Sequence, residues 1–252
     1  MPTPTSQTET PLADILVSIY FWFSLFFISA LLFPFFILIF LCTVLFDKRR
    51  YVMHKITCGW STLILFINPY WTARVEGRKN IDSRKTYVMV SNHQSGADIL
   101  VLFLLFTHFK WVAKKELFYI PFIGWNMWLN GYIPIERSRG RSKLQMMGKA
   151  QQAILEGNSI IMFPEGTRSK DGNLQPFKSG GFRLALETEC DILPIVLKGT
   201  HLAIKKGGLT IHHNREIKVV VLPPIPFESF REKDSKELAG LVHNVVKKEL
   251  ES

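Results

Sequence analysis

The stretch Tyr87-Val88-Met89-Val90-Ser91-Asn92-His93-Gln94-Ser95-Gly96-Ala97-Asp98-Ile99-Leu100-Val101-Leu102 changes character twice. Its first five residues form a short, mostly apolar run, the pattern of a strand buried on both faces. Asn92 to Gly96 are polar turn formers. Apolar residues resume at Ala97 and continue for the length of a helix. Strand, turn and helix in that order are the repeating unit of an α/β sheet, and the alternation extends outward from here in both directions. Further strands are predicted over 72–76, 110–113, 132–135, 159–163, 192–197, 209–212 and 218–222. Helices are predicted over 97–106, 122–129, 142–155, 180–188 and 235–250. In the third of these Leu144, Met147, Ala150 and Ile154 share a face, and Gly157 follows as the stop. The predicted fold is α/β, with a mixed, largely parallel sheet flanked by helices.

Before this body the chain is different. Residues 15–46 carry no formal charge and hold nine of the 20 phenylalanines. As one helix the run would be ~48 Å long against a ~30 Å hydrocarbon core. Pro34 should kink or divide it, so that either a tilted helix spans the bilayer or two shorter pieces dip into it. No basic residue precedes the run, which argues against a cleaved signal peptide. Asp47-Lys48-Arg49-Arg50 follows at once, with Lys55 a turn later. By the positive-inside rule this flank, and with it the body, lies on the cytoplasmic face of the cell membrane. A second uncharged stretch, 56–73, ends in Asn68-Pro69, and its aromatic residues suggest an interfacial helix that stops near Ile67. Two regions are expected: a polar tail with membrane helices over 1–71 and a globular domain over 72–252.

All 31 basic residues, and all but two of the 21 acidic ones, lie after residue 46. A body this basic should meet an anion, and beside a membrane segment lipid headgroups or a phosphorylated substrate are more economical partners than nucleic acid, for which no recognition motif is visible. Cys42, Cys58 and Cys190 have no paired spacing, and His201, His212 and His213 share no carboxylate or thiol at ligand spacing. No disulfide framework and no metal site is expected.

The chemistry concentrates at predicted strand ends. His93 and Asp98 are five residues apart, which on a continuous helix would place them ~140° apart. They can meet only if the chain turns at Ser95-Gly96. A carboxylate on one imidazole nitrogen would leave the other as a general base. The same residues also suit a simpler reading, with Asp98 a helix cap and His93 a buried hydrogen-bonding group. A second strand runs into Phe163-Pro164-Glu165-Gly166-Thr167-Arg168-Ser169. There Arg168 offers a planar fork for phosphate and Gly166 permits close backbone approach. Glu136-Arg137-Ser138-Arg139 and Lys114-Lys115 follow two more strands. In open α/β sheets ligands bind beyond these ends. A base among phosphate binders suggests transfer to a hydroxyl of a phosphorylated acceptor.

These motifs, in this order, resemble those of the 1-acylglycerol-3-phosphate (lysophosphatidate) acyltransferases within the glycerolipid acyltransferase superfamily. His93-x4-Asp98, Ile133-Pro134-Ile135-Glu136-Arg137, Phe163–Ser169 and Ile192-Leu193-Pro194-Ile195-Val196 carry the resemblance, which covers about residues 71–200. It implies a membrane-bound enzyme that acylates the sn-2 hydroxyl of a membrane lipid acceptor. The acyl donor would be acyl-CoA or acyl-acyl-carrier protein, with no bound cofactor. His93 would act as base and Asp98 would orient it. Arg137, Arg168 and Lys114 would hold the acceptor phosphate, beside Gly166 and Thr167. Glu165 would orient an arginine or the acceptor glycerol, and Pro194 would shape the donor side of the cleft. The alternatives are a different acceptor, such as glycerol-3-phosphate or another lysophospholipid, and a non-catalytic lipid-binding protein.

Overall fold

The computed structural model describes residues 12–136, 140–169 and 171–252. It opens with two helices, α1 (Leu12–Thr43) and α2 (Tyr51–Ile67), which lead into strand β1 (Trp71–Glu76). Strand β2 (Tyr87–Ser91), helix α3 (Ala97–Phe103), strand β3 (Phe109–Lys114), helix α4 (Ile123–Leu129) and strand β4 (Ile133–Ile135) follow. Next come α5 (Gly140–Leu155), β5 (Ser159–Met162), α6 (Gly180–Glu187), β6 (Asp191–Lys198) and the one-turn α7 (Thr200–Ala203). Strand β7 (Arg215–Val221) and helix α8 (Ser235–Leu250) close the chain. The strands form one sheet in the order β1-β7-β6-β2-β5-β3-β4. From β6 to β4 all neighbours are parallel; β7 runs antiparallel to β6, and β1 is parallel to β7.

The alternation of side chains along the strands divides the core in two. Met89, Ile161, Leu193 and Ile195 point to one face and pack with α1, α2 and α3. Val88, Val90, Ile160, Ile192 and Val196 point to the other, beneath α5, α6 and α8. Helix α8 starts on a capping box, with Asp234 accepting from the backbone of Lys236 and Glu237 while Glu237 returns to Asp234 N.

The N-terminal helices share the first core. Phe21, Ser24, Leu25, Ser29 and Phe36 of α1 are buried at intervals of three, four and seven, which makes one seam. Leu16, Phe23, Phe27, Leu31 and Leu38 stand exposed elsewhere on the helix. Helix α1 runs unbroken through Pro34, so the two-piece alternative is not what forms. It is long and apolar enough to cross a membrane. Helix α2 ends at Ile67 as its sequence requires, but Met53, His54, Cys58, Trp60 and Ile64 are buried, so it is more a core helix than an interfacial one.

Two expected elements differ. Helix α3 stops at Phe103, because Leu104 to Phe106 bend into the core as a turn; Leu105 is buried there, and apolar content alone looks the same in either conformation. Residues 209–212 pair with no strand. Their alternation serves α1 instead: Trp22 Nε1 donates to Leu209 O at 2.7 Å, and Ile211 N donates to Ser18 Oγ at 2.8 Å.

Candidate active site

Two motifs separated by seventy residues meet because β2 and β5 are adjacent and parallel, with Val90 opposite Met162. Each strand then ends, and each delivers a polar loop to the same edge. After β2, Asn92 continues the ladder with its side chain: Nδ2 donates to Leu197 O at 2.9 Å, and Oδ1 accepts from Leu197 N at 2.8 Å. This fixes the backbone just before His93. Ser95 Oγ then donates to Ile204 O at 2.8 Å, and the chain turns at Gly96 into α3.

The turn brings His93 and Asp98 together, with Nδ1 and Oδ2 2.7 Å apart. Asp98 is fully buried, and its Oδ2 also accepts from Gln94 N at 2.7 Å and Ser95 N at 2.9 Å. Asp98 therefore braces the loop before α3 and partners the imidazole; the N-cap position of α3 is Gly96, with no side-chain cap, so the helix-cap reading does not hold. A carboxylate carries no hydrogen to give and can only accept from the ring. Nδ1 must then carry the proton, which leaves Nε2 as the basic nitrogen. The His93 ring lies flat on Phe163, with centroids 3.9 Å apart and planes 8° apart, and its side chain is 14% exposed. One nitrogen is held, one face is covered, and the ring keeps access to solvent.

Glu165 does something the sequence did not indicate. It is almost wholly buried; Oε1 accepts from His93 N at 2.6 Å, and Oε2 accepts from Gln175 N at 3.0 Å. Ser169 N returns to His93 O at 2.8 Å. Glu165 thus clamps the main chain of His93 to its own loop, and the expected orientation of an arginine or of a glycerol is replaced by orientation of the base. Burial raises its carboxyl to about 7, against a smaller opposing effect of the two backbone N–H groups. The folded protein then holds a proton here that the unfolded chain releases near 4.5, so this group alone removes stability as pH climbs from there to about 7. Glu165→Gln should remove one of the two backbone bonds, lower kcat at least ~10-fold with KM little changed, and abolish any acid limb of the pH–rate profile near 7 that belongs to Glu165. A kcat–pH profile of both proteins checks this.

Arg168 reaches over the same turn: its Nη1 lies 3.8 Å from the position a Cβ on Gly96 would take. Lys206 Nζ donates to Arg168 O at 2.6 Å and steadies the loop. Among the described residues no carboxylate pairs with this guanidinium, which leaves its fork available to an anion. Gly166 has φ 71° and lies tight against Lys178, which explains the glycine; Thr167 is exposed beside it. Lys114 ends β3 at the same sheet edge, two strands from β2, and pairs with Glu116 at 3.3 Å. Arg137 lies outside the described residues. Pro194 lies back from the strand ends that carry the polar loops. It sits inside β6 opposite Val90, three residues short of His93, buried on the face of Ile192 and Val196.

Among the described residues no cluster of His, Cys, Asp or Glu could hold a metal. His212 and His213 grip Asp14 of α1 at 2.8 and 2.6 Å through their Nδ1 atoms. The single acid within an apolar helix was the available signal for this contact.

On the face of α1 to α4 an apolar cavity of about 180 Å³ lies close to the base, with Trp111, Ala113, Ile123 and Met127 in its wall. Trp111 contacts Phe163 at 5.6 Å between centroids, and Phe163 stacks on His93, so the cavity begins about two rings from the base.

Comparison with known proteins agrees with this geometry. The chain is 37% identical over 184 residues to a chloroplastic 1-acyl-sn-glycerol-3-phosphate acyltransferase of Brassica napus, covering 72% of this chain and 53% of that one. It is 34% identical over 186 residues to the alpha 1-acyl-sn-glycerol-3-phosphate acyltransferase of Ovis aries, covering 72% and 64%. The chain spans about half the length of the plant and algal relatives it matches. The crystal structure of the 1-acyl-sn-glycerophosphate acyltransferase PlsC from Thermotoga maritima superposes with a TM-score of 0.79 at 26% identity, over 95% of both chains. Residues 72–198, which run from β1 through both polar loops to the end of β6, match the acyltransferase family model, and the chain belongs to that family.

Proposed function

We propose that this protein transfers a fatty acyl group from acyl-CoA or acyl-acyl-carrier protein to the sn-2 hydroxyl of a 1-acylglycerol-3-phosphate, giving phosphatidate. The observation that carries the reading is the 2.7 Å His93–Asp98 pair at the tip of β2 with Arg168 poised over the same turn. It sets a base beside a cation that can hold a phosphate, as a phosphorylated alcohol requires. The relatives named above bear the name of this activity.

The chemistry follows from the protonation state. Nε2 of His93 takes the proton of the hydroxyl as the oxygen attacks the thioester carbon, and the imidazolium that forms is stabilised by Asp98. The tetrahedral intermediate collapses with cleavage of the C–S bond, and the imidazolium returns its proton to the departing thiolate. No acyl-enzyme forms. Arg168 binds the acceptor phosphate, with Lys114 from the same sheet edge and with Arg137 by its place in the family motif. Arg168→Ala should chiefly raise KM for the acceptor, at a cost of ~1.5–3 kcal/mol, and lysine should restore only part, because a point charge lacks the fork. A rise confined to KM for the thioester would move Arg168 to the donor side.

The apolar cavity takes an acyl chain, since fifteen mostly apolar side chains wall it and one of them, Trp111, contacts the Phe163 that stacks on His93. Ala113→Leu should narrow it and shift preference toward shorter acyl donors, as measured by competition between thioesters of different length; unchanged preference would assign the chain elsewhere. The outer face of α1 lies in the membrane, with Lys48, Arg49, Arg50 and Lys55 at headgroup depth on the cytoplasmic side.

The acceptor assignment is tested with purified full-length protein, one labelled acyl thioester and a panel of lyso-acceptors. Turnover of 1-acylglycerol-3-phosphate far above that of monoacylglycerol supports it. Turnover only of the acceptor without phosphate would overturn the role of the cations.

A further inference from the structure

The edge of the sheet opposite His93 carries a pocket that the transfer reaction does not use. It lies below the starts of β2, β3 and β5, has a volume of about 260 Å³, and is lined among others by Arg49, Lys55, Arg78, Lys85 and His108. Among the described residues, its lining includes no Asp or Glu. Arg49 donates to Gly157 O, Lys55 to Phe106 O and Arg78 to Leu104 O. Among the described residues, Lys85 alone of these cations has a carboxylate partner, Asp191 at 3.0 Å. Carbonyl oxygens satisfy hydrogen bonds but leave the charge uncompensated, so three cations converge on one concavity without an ion-paired carboxylate among the described residues.

His108 lines the same pocket, and its ring could hydrogen-bond an anion there only by taking up a proton. It is 9% exposed, and its Nε2 lies 2.9 Å from Asn158 Oδ1. The Asn158 amide nitrogen is committed to Ala153 O, which fixes that oxygen toward the ring, so Nε2 carries the hydrogen. Its Nδ1 is buried with no partner. Burial first, then the charges of Lys110 and Arg49, push this imidazole down to about 4, against Asn158 and Asp47, which raise it. Asp47 is itself engaged, capping α2 through Tyr51 N and Val52 N at 2.9 and 2.8 Å.

We propose that this pocket is a second anion site, which takes the phosphate of an anionic membrane lipid at the edge of the sheet remote from His93. A lipid fits better than free phosphate because of the surroundings. The pocket lies where α1 hands over to α2; Tyr51 and Phe106 of its lining stand exposed, as do Leu45 and Phe46 of the connecting turn, apolar surface that acyl chains would cover and a free ion would not. Its seam, with its first turns tied to residues 209–213, lays α1 along the domain. A helix lying along the membrane surface sets this corner and the catalytic edge against the same leaflet. Lipid bound here would fix the tilt of the domain while the acceptor enters at the other edge.

The test uses the full chain and flotation on phosphatidylcholine vesicles with and without phosphatidylglycerol, a phosphodiester lipid that is neither the proposed acceptor nor its product. Arg78→Ala/Lys85→Ala removes two pocket cations from outside the membrane helices, and Lys236→Ala/Lys248→Ala removes two exposed cations from α8. Partition onto the anionic vesicles should fall roughly 25-fold for the first pair, about fivefold per cation, with little change for the second. Partition onto neutral vesicles and the thermal unfolding midpoint should be the same for all three proteins. Equal losses from the two pairs would show only diffuse attraction and would overturn the pocket. Calorimetric binding of inorganic phosphate that is lost in Arg78→Ala/Lys85→Ala, with vesicle partition unchanged, would overturn the lipid assignment in favour of a free ion.

Discussion

His93→Ala should lower acyl transfer by ~10²–10⁴-fold while the protein stays folded and membrane-bound. The ring removes a proton from the acceptor and contributes little else: it is stacked on Phe163 at the surface end of β2, outside both halves of the core. Asp98→Asn should lose a similar factor for a different reason. One oxygen, Oδ2, accepts from Gln94 N, Ser95 N and the ring, so an amide that keeps its oxygen there loses the negative charge that stabilises the imidazolium and buries an NH₂ where Oδ1 has no partner, whereas the flipped amide would turn its NH₂ toward Nδ1. With Nδ1 facing a donor, the ring proton moves to Nε2 and the base is lost. Steady-state kinetics of both variants, with circular dichroism to confirm folding, checks the pair. Turnover like wild type in His93→Ala would remove the mechanism.

The second large effect concerns the exposed face of α1. Deleting the helix would be uninformative, because Phe21, Leu25 and Phe36 belong to the core beside the sheet. Phe27, Leu31 and Leu38 are exposed at 54, 59 and 58% and are not among the buried residues of that core, so their replacement by Asp tests membrane contact. Each would forfeit ~1.5–3 kcal/mol of apolar burial in lipid, so the triple variant should partition onto vesicles at least ~10³-fold more weakly. Turnover of vesicle-embedded 1-acylglycerol-3-phosphate should fall with it, since pulling the acceptor's acyl chain into water costs ~0.8 kcal/mol per CH₂. Turnover of a short-chain soluble analogue should stay within about twofold, because α1 supplies nothing to His93. Equal losses on the two substrates would mean that this face supports the fold rather than substrate access.

The unit that decides the fold was legible because it is local. The strand at Tyr87–Ser91, the turn and the helix from Ala97 are set by neighbouring residues, as is the need for His93 and Asp98 to meet across that turn. Sheet order was not legible. That β2 lies between β5 and β6 depends on pairings seventy and a hundred residues apart, which no local pattern records. The clamp by Glu165 on His93 N follows from that order, so the carboxylate could be singled out in Phe163–Ser169 but its partner could not. Residues 209–212 show the limit of period-two reasoning. Alternation reports that one side is covered, and here the cover is a helix rather than a neighbouring strand. Pro194 was placed by family pattern, and the register shows it holding strand geometry inside the sheet.

The most direct measurement follows thiol release and lipid product together, with purified full-length protein and a labelled acyl thioester. The account predicts that thiol and phosphatidate appear one for one, acylated at sn-2, only when 1-acylglycerol-3-phosphate is present, and that both vanish in His93→Ala. Thiol released without acceptor and matched by label bound to the protein would contradict direct transfer. Phosphatidate formed at the wild-type rate by His93→Ala would contradict the assignment of the base.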